Sequence, residues 1–322
     1  MILRDPSAAR IERARVAYFA ALRTCPASGA GVHAWVLGAA NRAALAGIPA
    51  AQAASEIEGA MTRPPAPRSE VRDAVAKAYR EHDDLAAAAA SGLPIPPKRE
   101  KPKPNPAAAA EFIRRGGGAG EAEMWEASPV RMFWGDDWRQ DACAVLRALF
   151  RPGELVFCGG THDRDTIRPR DEWIDLFEHG GEIPPFLCVN PLKAEGGTTA
   201  GGTCSRRCDD AVSAFRHAVV EFDGMPLADQ FAFWAGWGLD AVTAVTFSGS
   251  KSLHALLRVD CKSREEWERD VRGCLFERHL IPLGCDGTCR NPSRLSRLAG
   301  ARRADKGGAV QKLWFVREEL AA

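Results

Sequence analysis

The sequence predicts an α+β protein, and three observations carry that reading. Residues 7 to 92 repeat their apolar positions at helical spacing and show no strand pattern. A proline-rich stretch, "GLPIPPKREKPKPNP" at 92–106, then interrupts the chain. From residue 217 onward, strand and helix patterns follow one another in the order β-α-β-β-α-β.

Composition sets the outer bounds. With 322 residues, 46% apolar and 26% charged, the chain suits one large globular domain or two ordinary ones. Its apolar stretches are too short to span a membrane, and "MILRDPSAARIERA" lacks the apolar middle of a signal peptide. A cytoplasmic protein without a membrane partner is therefore expected. Ten cysteines in a chain with this much core read as mostly reduced and buried. A net charge of +1 means that any nucleic-acid contact must come from local patches rather than from an overall field.

The first segment, 1–92, reads as a helical accessory domain. In "RSEVRDAVAKAYREHDDLAAAAA", Val71, Val75, Ala78 and Tyr79 share one helical face. Residues 93–118 are expected to be a Pro/Gly-rich linker, because repeated prolines remove backbone donors and the charges oppose a packed core. The main domain is then 119–322. Within it, "GELVFCG" and "PFLCVNP" are short candidate strands, "HAVVEFD" is a strand, and "PLADQFAFWAGW" is a helix opened by Pro226. "AVTAVTFS" and "SLHALLRVD" form a hairpin around a Gly-Ser turn. "SREEWERDVRGCLFERHL" is an amphipathic helix in which Ser263 and Glu266 occupy capping-box positions. Either "SRLSRLAG" or "QKLWFV" supplies the last strand. The sum is a ferredoxin-like, or RRM-like, βαββαβ unit: an antiparallel sheet backed on one side by two helices, its other face free for a site.

The chemistry concentrates at the strand ends. "SGSKSLH" suggests a phosphate-cradling P-loop, but Ser250 and Val245 stand where that motif needs glycine. In "VVEFDG", Glu221 and Asp223 project to the same face of a strand while Phe222 points away. Two carboxylates this close repel each other, a cost that a bound cation offsets, and hard oxygen ligands favour Mg²⁺ or Mn²⁺. Asp286 in "PLGCDGT" supplies the third carboxylate that two such ions need. The plainer reading is a strand ending at a solvated edge. On the hairpin's second strand, Ser252 and His254 share a face, and Lys251 precedes them at the turn. Hydroxyl, imidazole and ammonium together suit phosphate oxygens, although a lone histidine is more often part of a core. Arg294, Arg297, Arg302 and Arg303 follow the third carboxylate, either as phosphate ligands or as a solvated basic run.

Together, "VVEFD", "SGSKSLH" and "PLGCDGTCRNPSRLSRLAG" resemble the three motifs of the archaeo-eukaryotic primase superfamily, most nearly its phage- and plasmid-borne primase-polymerases. The resemblance spans about residues 186–317, and with the family's N-terminal α/β unit it extends back to about 120. It departs from the family in opening its first motif with glutamate where aspartate is commoner. It implies template-directed nucleotidyl transfer from NTPs or dNTPs on single-stranded DNA, with Glu221, Asp223 and Asp286 as catalytic ligands of two Mg²⁺ or Mn²⁺ ions. Lys251, Ser252, His254 and Arg294 or Arg297 would bind the nucleotide. No helicase motor is evident, so a helicase is expected as a separate partner at a mobile element's replication fork.

Weaker signals remain. Cys204 and Cys208, Cys285 and Cys289, and Cys158 with His162 are spaced as CxxxC-type pairs, which argues against a structural zinc knuckle of the usual two-residue spacing without excluding Zn²⁺. Arg206, Arg207 and Asp209 read as solvated loop or as the border of a nucleotide pocket, and Trp234 and Trp237 read as core. Two other functions compete: a non-catalytic origin-binding replication initiator on the same fold, opposed by the three carboxylates, and a metal-dependent nucleotide cyclase or phosphodiesterase, opposed by the S-x-H strand.

Overall fold

The computed structural model describes residues 6–27, 31–90, 102–130, 138–161, 163, 166–199 and 202–317. The chain divides into two compact units, Met1–Arg99 and Glu100–Ala322. None of the described helices is long and apolar enough to cross a membrane.

The first unit contains α1 (Pro6–Leu22), α2 (Val32–Leu45), α3 (Ala50–Ala60) and α4 (Glu70–Ala90). Its core is built largely from alanine: Ala39, Ala40 and Ala43 of α2 face Val71, Val75 and Ala78 of α4 in one buried cluster. Small side chains let the helices approach closely, and the fully buried Tyr18 fills the remaining space. The α3–α4 loop is fixed by Glu70, which is buried and accepts from Arg63 Nη1 and Nη2 (2.8 Å each) and from the Ala66 amide (2.9 Å).

In the second unit, α5 (Pro106–Arg115), α6 (Glu121–Glu126) and α7 (Arg139–Leu149) precede β1 (Leu155–Gly159), β2 (Ile167–Pro169), α8 (Arg170–Glu178) and β3 (Phe186–Cys188). A two-residue ribbon, β4 (Gly197–Thr198) with β5 (Cys204–Ser205), leads to β6 (Phe215–Glu221), α9 (Leu227–Trp237), β7 (Val242–Phe247) and β8 (Leu253–Cys261). Next comes α10 (Arg264–Glu266), continued by a π-helix over Trp267–Leu280. The chain ends with β9 (Leu295–Arg297), the ribbon β10 (Arg302–Arg303) with β11 (Ala309–Val310), and β12 (Leu313–Val316). Two antiparallel four-stranded sheets result, ordered β2-β1-β3-β9 and β12-β7-β8-β6.

Three sequence expectations need correction. First, α5 lies inside the expected 93–118 linker. Asn105 caps it by accepting from the Ala108 amide (3.1 Å), Pro106 fits its first turn, and Ala109 and Phe112 bury against the core. The seat is set by glycine: a Cβ at Gly116 would lie 1.9 Å from the Ala232 carbonyl oxygen of α9, and one at Gly236 would lie 1.9 Å from that of Phe112. The expected linker is therefore helical over Pro106–Arg115; residues 91–101 lie outside the described residues.

Second, the last strand of the βαββαβ unit is misplaced in the ferredoxin-like reading, which puts it beside the first strand. Here β12 pairs with β7, so the order is fourth, second, third, first. The "SRLSRLAG" segment instead forms β9 and joins β3 in the other sheet. The outer edge of β6 is taken by Asn190, whose side-chain oxygen accepts from the Arg216 and His217 amides (2.8 and 2.9 Å) and whose nitrogen donates to the His217 carbonyl (2.8 Å). Third, the sheet face away from the helices is mostly covered. Ala218, Val220 and Phe222 pack with α5, α9 and the π-helix, while Val219, Ala244 and Leu256 pack on α7 and the first sheet. Strands apolar on both faces are expected to be buried on both. Only the end of that face carrying Glu221 and His254 is left for a site.

Candidate active site

The site begins with a register. Glu221 and His254 are cross-strand partners on β6 and β8, and their side chains meet: His254 Nε2 is 2.9 Å from Glu221 Oε2. Both are less than a tenth exposed. Nδ1 of the same ring lies 3.3 Å from the Ser296 hydroxyl and accepts from the Arg297 amide at 3.5 Å, so Nε2 carries the proton given to Glu221. The other carboxylate oxygen of Glu221 accepts from Arg294 Nη2 at 2.8 Å. Burial alone would push this carboxyl up; the bonds from His254 and Arg294 outweigh it and hold the group at about 2.

Asp286 follows the π-helix and is clipped to the end of β6 by one backbone bond, from its amide to the Glu221 carbonyl (2.9 Å). Its side chain caps the turn Gly287–Arg290, accepting from the Thr288 amide (2.9 Å), and Arg294 Nη2 also reaches its Oδ2 at 3.3 Å. One guanidinium therefore bridges two of the three expected carboxylates. Asp223 stands apart from that pair. It lies in the turn beyond β6, about half exposed, with Lys251 Nζ 3.2 Å from its Oδ1.

Among the described residues, donor atoms able to share one ion, all within 4.8 Å of one another, come from Glu221, Asp286 and Cys289. Cys204 and Cys208 form no such group, and His162 lies outside the described residues. Cys289 was noted in the sequence only as half of a zinc-like pair; its spacing of three from Asp286 across a tight turn is the signal that places it here.

Glu221, Asp223, Lys251, Ser252, His254, Arg294 and Arg297 all line one cleft of about 640 Å³, whereas Asp286, in contact with Arg294, does not. Ser252 closes the 248–252 loop, its hydroxyl 3.3 Å from that of Ser248. Gly249 has a positive φ of 74°, and a Cβ there would meet Arg303 Cδ at 3.1 Å, so glycine lets the loop pass beneath that arginine. Arg297 stacks over Phe186, its guanidinium carbon 4.2 Å from the ring centre.

Of the remaining basic lining residues, Arg207 and Arg303 stood open in the sequence between a nucleotide-contacting and a solvated role, whereas Lys306 carried no sequence signal. Arg207, Arg303 and Lys306 join Lys251, Arg294 and Arg297, giving six basic side chains against two lining carboxylates. That balance suits a polyanion. Arg303 and Lys306 arrive on the β10–β11 ribbon, too short to show periodicity. Asp209 accepts from the Ser293 hydroxyl (2.6 Å) and amide (3.3 Å), and so positions the segment ahead of Arg294. Gln230 of α9 is fully buried. Its amide group donates to the carbonyls of Met225 (2.7 Å) and Lys251 (3.2 Å), and its oxygen accepts from the Leu253 amide (2.7 Å). It thereby ties the turn bearing Asp223 to the loop bearing Lys251. Trp234 is core, as expected.

No family model matches the chain, and no curated protein matches it. Among solved structures it is similar to the AEP domain of the cyanophage S-2L primase-polymerase (PrimPol). The two are 20% identical, with a TM-score of 0.38, over 57% of this chain and 92% of that one.

Proposed function

We propose that the cleft binds a nucleoside triphosphate and that the protein is a primase-polymerase, adding nucleotides to a growing strand on single-stranded DNA. One observation carries this reading: three segments far apart in sequence, around 221, 252 and 294, converge on a single cleft lined by two carboxylates and six basic side chains. The donor set fits a divalent cation, since Glu221 and Asp286 already share a cationic guanidinium. Glu221, Asp223 and Asp286 would hold the ions. When bound, such ions activate the attacking hydroxyl and steady the leaving pyrophosphate.

The protein's own groups supply orientation. Lys251, Ser252 and Arg297 face the cleft and offer charge-assisted bonds to phosphate oxygens. His254 has both ring nitrogens engaged, so it fixes Glu221 first and meets phosphate only by releasing it. Arg207, Arg303 and Lys306 add to the basic lining and would offer further contacts to nucleotide or template phosphates.

Incorporation of labelled NTPs and dNTPs on single-stranded DNA, with Mg²⁺ and with Mn²⁺, tests the proposal. Wild-type protein should extend, and Asp223→Asn should extend at least about a hundredfold more slowly. Binding of single-stranded DNA without incorporation under either ion would return the reading to a non-catalytic replication initiator.

A further inference from the structure

We infer that Cys289 is a metal ligand, and that Glu221, Asp286 and Cys289 form a site for a thiophilic divalent cation of the Zn²⁺ or Co²⁺ kind, held by Arg294 until the metal displaces it. The inference rests on the preceding reading only in that Glu221 and Asp286 hold cations; it does not require nucleotide transfer.

The geometry is convergent. The Cys289 sulfur lies 3.5 Å from Glu221 Oε1 and 4.0 Å from Asp286 Oδ2. Arg294 Nη2 lies 2.8 and 3.3 Å from those same two oxygens. A positive nitrogen thus sits where two carboxylate oxygens and a sulfur point together. Cys289 is fully buried and is a free thiol, as is Cys285, so neither is engaged in a disulfide.

Donor chemistry then selects the metal. Mg²⁺ takes oxygen ligands and keeps its waters, whereas sulfur favours Zn²⁺ and similar borderline ions. The exchange also conserves the buried charge. The guanidinium leaves with its single positive charge, the thiol proton passes to solvent as sulfur binds, and a doubly charged ion enters. Replacing one cation by another in this way adds no net charge beside the buried Glu221 and Cys289. Asp223, outside this group and paired with Lys251, is left to the cleft. The arginine released by the metal already lines that cleft, so loading the site would add a phosphate ligand to it.

Titration of the full chain with Co²⁺, in the absence of nucleotide and DNA, tests this. Wild-type protein should develop a thiolate-to-cobalt absorption band, and Zn²⁺ should abolish it by competition. Cys289→Ser should lose the band and bind Zn²⁺ at least about tenfold more weakly, with Mg²⁺ affinity unchanged; Cys204→Ser, which alters an exposed thiol, should keep the band. Folding is controlled by melting temperature. Zn²⁺ should raise it in wild type and leave that of Cys289→Ala unmoved. A wild-type protein without the band, or a band retained in Cys289→Ser, overturns the inference. The two readings fail separately: a cobalt–thiolate band in a protein that never extends a primer removes only the polymerase, and extension without a band removes only the sulfur ligand.

Discussion

Replacing Gly236 by alanine should destabilise the second unit through a backbone collision that no side chain can relieve. The new Cβ would lie 1.9 Å from the Phe112 carbonyl oxygen and 2.8 Å from the Gly116 nitrogen, whereas ordinary contact begins at 3.4 Å. Helices α5 and α9 must therefore separate by about 1.5 Å at this point. A radial gap of even ~1 Å forfeits up to about half of a dispersion well. The contacts of Phe112 with Phe233 and Trp237, at ring separations of 5.5 and 5.1 Å, would be mostly lost. Overpacking of this kind costs about 1–3 kcal/mol, and loosening a buried phenylalanine adds roughly 1–2 kcal/mol. For a unit of this size the sum corresponds to a fall in melting temperature of about 5–15 °C. Thermal unfolding followed by far-ultraviolet circular dichroism measures it, with Gly59→Ala of α3, where a Cβ meets nothing within 4 Å, as a control that should gain stability. A Gly236→Ala protein that melts within 1 °C of wild type, an experimental threshold of about that size, would show that α5 does not seat on α9.

Three further outcomes are expected. Gln230→Leu keeps the volume but leaves the Met225 and Lys251 carbonyls and the Leu253 amide without their buried partner, at about 1–3 kcal/mol for each group; melting should fall and nucleotide affinity should weaken, and an unchanged melting curve would remove Gln230 from its positioning role. His254→Ala deprives Glu221 of a charge-assisted bond worth about 1.5–3 kcal/mol, so melting temperature and nucleotide affinity should drop together; a loss of affinity at full stability would show that the ring serves phosphate alone. In the first unit, hydrogen bonding from Arg63 holds the Glu70 carboxyl down from 4.5 to about 2. The stabilisation, on the order of 3 kcal/mol, is present above pH 4.5 and lost as pH falls through 2. Glu70→Gln should be less stable than wild type at pH 7, with the gap closing toward pH 2, about the folded-state value.

What the sequence made legible is what periodicity reports. The order β6, α9, β7, β8 and the helix after Ser263 follow from alternation and from caps, and period-two spacing put Glu221 opposite Phe222 and His254 opposite Leu253. Pairing across strands leaves no such mark. "SRLSRLAG" and "QKLWFV" read alike as strands, and only three-dimensional competition for edges sends one to β3 and the other to β7. The thiol of Cys289 is likewise invisible to an argument built on carboxylates. A run of prolines hid α5, whose apolar face of Ala109 and Phe112 spans barely three turns. The role of Arg303 stayed open and Lys306 gave no signal, because both sit on elements of two or three residues, where charge in a loop and charge aimed at a cleft look the same.

The Asn190 amide at the rim of β6 bears on how the chain reaches its native state. It stands just beyond β3, in the other sheet, so β6 acquires this neighbour only when the two sheets have come together. Before that moment the strand shows open peptide groups beside "HAVVEF", a segment with no proline or glycine to discourage pairing with another molecule. Slow docking of the first sheet therefore favours aggregation over folding, and conditions that speed it, or that keep the nascent chain dilute, should raise the yield of folded protein.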